Sequence, residues 1–212
     1  MTIKVTSLLS IVAIWAASIA AVAFQPDRWW VFIFSALATG AVGVSAWRRL
    51  GVSRLIAIAG TWAGVALAAG VDDGAAWPSI FAFLTTGAVV YSTMRRDAWL
   101  LGVGVAAAWL ATGIAVAFEG SGAAWMCVFA FLTAAPLSNS HREVGRGLSA
   151  VVWWSAAAAL VLLLGAGWAW LGVIAFLLST SALGFGGFRF PAGLEWDLFD
   201  RDDDSDRVNA VH

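Results

Sequence analysis

Trp30–Gly40 reads WVFIFSALATG, and three later stretches repeat it: WPSIFAFLTTG at Trp77–Gly87, WMCVFAFLTAA at Trp125–Ala135 and WLGVIAFLLST at Trp170–Thr180. The opening tryptophans are spaced by 47, 48 and 45 residues. A second series, Trp15, Trp62, Trp109 and Trp154, is spaced by 47, 47 and 45. Two series at nearly one period mark a tandem array. The stretches are apolar all round and lack the short alternating segments of a barrel. They read as helices, because lipid leaves an open backbone unsatisfied.

Working outward, charged residues divide the chain into apolar spans near 7–24, 29–47, 53–71, 77–94, 98–118, 125–140, 148–166 and 169–186. Most are long enough to cross roughly 30 Å of hydrocarbon, which takes about 20 helical residues. The expected fold is an all-α integral membrane protein. Its eight transmembrane helices form four tandem parallel two-helix hairpins, covering about 7–50, 53–97, 98–146 and 147–188. Residues 1–188 form the membrane domain and 189–212 an acidic tail. The run from Leu8 to Ala23, ending in Ala21-Val22-Ala23, has the outline of a signal peptide. Trp15 belongs to the repeat, however, so this run is expected to stay as the first helix.

Composition agrees with the membrane assignment. Of 212 residues, 61% are hydrophobic and 12% charged, with a mean hydropathy of +0.86. Soluble domains are about 25% charged. The net charge of −1 gives no basic field for nucleic acid, and none is expected as a partner. Each repeat contains two spans, so every copy enters the membrane in the same direction, and successive loops alternate sides and sort by charge. Lys4, Arg48, Arg49, Arg54, Arg95, Arg96, Arg142, Arg146 and Arg189 fall on one side, with Arg201 and Arg207 in the tail. Arg28 falls on the other, beside Asp27, Asp72, Asp73 and Glu119. Basic residues accumulate on the cytoplasmic side. The expectation is a multi-pass protein of a prokaryotic inner or plasma membrane, with both termini cytoplasmic.

Ionisable groups inside a membrane mark ion paths and proton relays. Here all 12 basic and 13 acidic residues lie in loops, at span ends or in the tail. With one cysteine, Cys127, and two histidines, no disulfide or His/Cys metal cluster is available. No phosphate loop, dinucleotide fingerprint or nucleophile elbow appears. A non-enzymatic protein without metal is therefore expected.

Four groups of residues are singled out. Ser35/Thr39, Ala82/Thr86, Ala130/Ala134 and Ala175/Ser179 are small pairs four apart, suited to close helix approach. Trp15, Trp62, Trp109 and Trp154 fall at mid-span, where an indole N–H needs a partner such as a Ser or Thr hydroxyl. With Phe34, Phe81 and Phe129 they form either packing or an apolar surface for a bound lipid, quinone or carotenoid. Pro136, followed by Ser138, Asn139, Ser140 and His141, reads as a kink or a small polar site. In the tail, Leu194, Trp196, Leu198 and Phe199 alternate with seven acids, Glu195, Asp197, Asp200, Asp202, Asp203, Asp204 and Asp206, and suggest docking to a basic cytoplasmic partner. Asp202, Asp204 and Asp206 lack the glycine and glutamate of a calcium loop.

The hairpins Trp30 to Arg49 and Trp77 to Arg96 resemble the bacterial YiaA/YiaB two-helix inner-membrane family, in which a short hairpin ends in a small-residue-rich helix and a basic loop. The resemblance extends to all four hairpins and implies no catalytic residue. The leading expectation is an accessory or scaffold subunit that associates with lipid and other membrane-protein subunits. The alternatives are a pore or carrier for a small neutral or apolar molecule, and a lipid-, quinone- or carotenoid-binding protein.

Overall fold

The computed structural model describes residues 5–24, 26–45, 50–71, 77–92, 99–138, 144–165 and 167–180. Among them are eight α-helices and no strand: α1 (Val5–Phe24), α2 (Val31–Ser45), α3 (Val52–Val71), α4 (Pro78–Val90), α5 (Trp99–Glu119), α6 (Met126–Ser138), α7 (Val144–Leu164) and α8 (Leu171–Thr180). Short 3-10 turns at Pro26–Arg28 and Ser121–Ala123 lead into α2 and α6. Five segments are long and apolar enough to cross a membrane: α1, α3, α5, α7 from Gly145, and the run Ser121–Ser138. Helices α2, α4 and α8 are apolar but shorter.

Local sequence explains several ends. Pro78 occupies the first turn of α4, where its missing N–H costs nothing. Gly120 and Gly165 adopt positive φ and end α5 and α7, donating to the carbonyls of Val116 (2.8 Å) and Val161 (3.0 Å). Helix α4 stops at Val90, four residues short of the span end expected near 94. Its cap is a turn at Tyr91 and Ser92, and Nη2 of Arg54 donates to the Ser92 carbonyl at 2.8 Å. A cation at a helix C-terminus complements the dipole.

The helices pack in two rows. The odd helices lie side by side in the order α1, α3, α5, α7, and the even ones in the order α2, α4, α6, α8. Each even helix also packs on the odd helix of its own hairpin. Among the described residues, no comparable interface joins α1 to α7 or α2 to α8, so both rows are open at their ends.

Glycine brings the odd helices together. A Cβ on Gly64 would overlap the Trp109 carbonyl, one on Gly102 the Ser53 carbonyl, and one on Gly113 the Gly64 carbonyl. A Cβ on Gly60 would overlap the Cβ and Cα of Ala106. Between α5 and α7, Gly147 lies against the carbonyl of Leu100. Lipid supplies little hydrophobic drive between helices, so such backbone-to-backbone contact carries the association.

Candidate functional site

The mid-span tryptophans fill the space between the two rows. Trp62, Trp109 and Trp154 are fully buried, whereas Trp15, in the terminal hairpin, is half-buried. Trp62 Nε1 donates to Thr86 Oγ1 at 3.0 Å, and that hydroxyl donates to the Ala82 carbonyl at 2.8 Å. Trp15 Nε1 makes the matching bond to Thr39 Oγ1 at 3.0 Å. Each indole thus reaches from an odd helix to the even helix of its hairpin. Nearby, Ser18 and Ser35 share a hydrogen bond between α1 and α2.

The last two hairpins lose this bond. Ala134 stands where Thr86 stands in the second hairpin and offers no hydroxyl. Ser179 stands there in the fourth and, like Thr86, donates to the carbonyl four residues back, but no indole N–H bonds to it. Trp109 Nε1 and Trp154 Nε1 are buried without a hydrogen-bond partner. An unsatisfied buried donor costs about 1–3 kcal/mol. The two halves of the array are therefore chemically unlike.

The repeated phenylalanines link successive even helices. Phe34 meets Phe83 (ring centroids 6.4 Å apart), Phe81 meets Phe131 (6.0 Å) and Phe129 meets Phe176 (5.5 Å). Each leading ring also lies edge-on to its boundary tryptophan: Trp30–Phe34, Trp77–Phe81 and Trp125–Phe129 at 5.6–5.9 Å. Such pairs add about 0.5–1.5 kcal/mol beyond area burial. The leading phenylalanine is Ile174 in the fourth hairpin, and the receiving one is Ala36 in the first. The ladder thus lacks a donor at one end and a receiver at the other.

Two open grooves indent the odd row. One, about 540 Å³, is lined by Ala13, Ala17, Ala20, Ala59, Ala63 and Ala66, with Phe24 and Leu67. The other, about 430 Å³, lies between α5 and α7. Neither is lined by a mid-span tryptophan or by Phe34, Phe81 or Phe129. The residues grouped as ligand surface or packing come together in the buried core and the ladder, outside these two grooves.

Pro136 lies in the last turn of α6, and Ser138 is buried with its hydroxyl unpartnered. Asn139, Ser140 and His141 lie outside the described residues, as do Leu194, Trp196, Leu198 and Phe199 in the tail. Besides the Arg54 cap on α4, the structure adds a further contact that sequence reasoning missed. Glu119 Oε1, at the end of α5, accepts the Trp168 backbone N–H at 2.8 Å and ties the third hairpin to the entry of the fourth. A signal was present: Gln25, Asp72 and Glu119 each lie ten residues after a mid-span tryptophan, and Leu164 takes that place last.

Among the described residues, no group of three His, Cys, Asp or Glu side chains is placed to hold a metal ion. No family model, curated protein or solved structure matches this chain.

Proposed function

We propose that the chain is a non-enzymatic membrane scaffold or accessory subunit. In this reading all eight helices cross the bilayer as four parallel hairpins, with both termini in the cytoplasm, and the protein associates with lipid and other membrane-protein subunits. Its likeness to a two-helix hairpin family fits growth by hairpin duplication. The inside-positive loop charge supports the orientation.

The observation that carries the scaffold reading is the filled space between the rows. Trp62, Trp109 and Trp154 are 0% exposed and occupy the mid-level, where a pore or carrier built on the repeat axis needs a passage. The open rows favour the same reading, since each end leaves a lateral helix face to neighbours in the membrane. The acidic tail, residues 189–212, adds a docking peptide for a basic cytoplasmic partner.

The test is purification in mild detergent of the full chain and of a variant lacking residues 189–212. A membrane-protein partner at fixed stoichiometry with the full chain is the expected result, with loss of cytoplasmic partners on tail removal. A protein that runs alone in both forms overturns the subunit reading. Solute flux in reconstituted vesicles would favour the pore or carrier instead. Visible absorbance or extractable quinone in the purified protein would favour ligand binding.

A further inference from the structure

The first two hairpins and the last two differ by one residue. The mid-span tryptophan precedes the boundary tryptophan by 15 residues in the first pair and by 16 in the second. The hydroxyl position shifts with it. Trp15–Thr39 and Trp62–Thr86 are 24 residues apart, whereas Trp109–Ala134 and Trp154–Ser179 are 25 apart. Thr133 keeps the shorter separation from Trp109 but does not take over the bond. The ladder holds α6 in the same rotation as α4, with Phe129 and Phe131 placed as Phe81 and Phe83 are. Thr133 therefore stands one residue, about 100° of helix rotation, away from the facing position. Its Oγ1 donates to the Phe129 carbonyl at 2.8 Å and receives nothing from Trp109.

Ala134 holds the facing position, and both it and Trp109 are 0% exposed. Alanine is two heavy atoms smaller than threonine, a difference on the order of one water molecule. Trp109 Nε1 is a donor without a protein acceptor. Ala130 presents the carbonyl that Ala82 presents to Thr86 in the second hairpin, and residue 134 has no hydroxyl to use its second lone pair. In the fourth hairpin Ser179 Oγ bonds the Ala175 carbonyl, but Trp154 Nε1 does not bond Ser179. Buried donors are nearly always paired, with ordered water where the protein offers nothing. No Asp, Glu, Lys or Arg lies at mid-span, so an ion has no counter-charge at either place.

We propose that the third and fourth hairpins each hold one buried water at mid-span. In the third, the water accepts from Trp109 Nε1 and donates to the Ala130 carbonyl, taking the place of the threonine hydroxyl. In the fourth, it accepts from Trp154 Nε1 and donates to Ser179 Oγ. The first two hairpins are dry at this level, because Thr39 and Thr86 accept the indole bond directly. Neither site depends on whether the chain serves as a scaffold.

The test is magnetisation transfer from water to indole N–H groups, read by nuclear magnetic resonance. It uses the full chain, with isotope-labelled tryptophan, in lipid nanodiscs. Each indole is assigned through its own backbone, so the first readout needs no variant. Trp29, 63% exposed, is the positive control. Trp109 and Trp154 should receive magnetisation from water, and Trp62 should not. Absence of transfer at both overturns the proposal. An N–H resonance in the unbonded range would then mean a dry donor, and a bonded one a protein acceptor. Transfer at one alone overturns the site at the other. Ala134→Val fills the threonine shape without a hydroxyl. It should abolish transfer at Trp109, move that resonance to the unbonded range and leave Trp154 unchanged. Ser179→Ala should abolish transfer at Trp154 and leave Trp109 unchanged. Transfer that survives either substitution in folded protein places the water elsewhere and overturns that site.

Discussion

Thr86 carries a hydroxyl where smallness alone would satisfy close packing. Small residues at Thr39, Thr86, Ala134 and Ser179 are legible in the sequence as helix-contact positions, but their second role is not. In the first two hairpins the hydroxyl accepts the indole N–H of the facing tryptophan, at 3.0 Å in both. Which hydroxyl meets which indole depends on how two helices rotate about their axes, and apolar helices carry little amphipathic pattern to set that rotation. The two unpartnered indoles make the role testable. Thr86→Val keeps the shape and removes the acceptor, so it should lower stability in detergent by about 1–2 kcal/mol. Ala134→Thr supplies Trp109 with the acceptor it lacks and should raise stability by up to about 1 kcal/mol. Chemical unfolding of both variants reads the pair. A neutral Thr86→Val together with a destabilising Ala134→Thr would show that these positions act through volume alone.

At the scale of the element, the seam between α3 and α5 separates two kinds of glycine. Gly102 lies against the Ser53 carbonyl, and an added methyl group has no space there unless the helices part. Gly87, within α4, has nothing within 4 Å of where its Cβ would stand. Gly102→Ala should therefore cost roughly 1–3 kcal/mol through overpacking and lower the yield of folded protein. Gly87→Ala should be neutral or stabilising by up to about 1 kcal/mol from helix propensity. Thermal unfolding in detergent distinguishes them, and equal effects would remove the seam from the account of how the odd row is held. The sequence shows helix existence well, because apolar run length is a local property. It shows helix ends less well. The span expected at 77–94 ends as a helix at Val90, because the cap comes from Arg54, 36 residues upstream of Val90, and no local Gly or Pro signals it.

For the whole molecule, the repeat is legible as a period, but a period alone does not say whether four hairpins close into a ring or stand in a row. The answer lies in where the copies differ. In a ring every hairpin has a neighbour on both sides, and each would keep both phenylalanines of the ladder. Here the first hairpin has Ala36 at the receiving place and the fourth has Ile174 at the leading place. The acceptor that Glu119 provides to Trp168 has no successor either, because Leu164 stands at the matching position and is 51% exposed. Terminal copies of a linear array are atypical in this way, since they have no further neighbour to meet. The consequence is a distance. Three helix-to-helix steps of about 8–10 Å place α1 and α7 roughly 25–30 Å apart, whereas ring neighbours would lie one step apart. Spin labels at Ile19 on α1 and Leu163 on α7, 57% and 79% exposed, measure this without disturbing the core. A distance distribution centred near one helix spacing would close the ring, and would return the repeat axis to the pore reading that the open row disfavours.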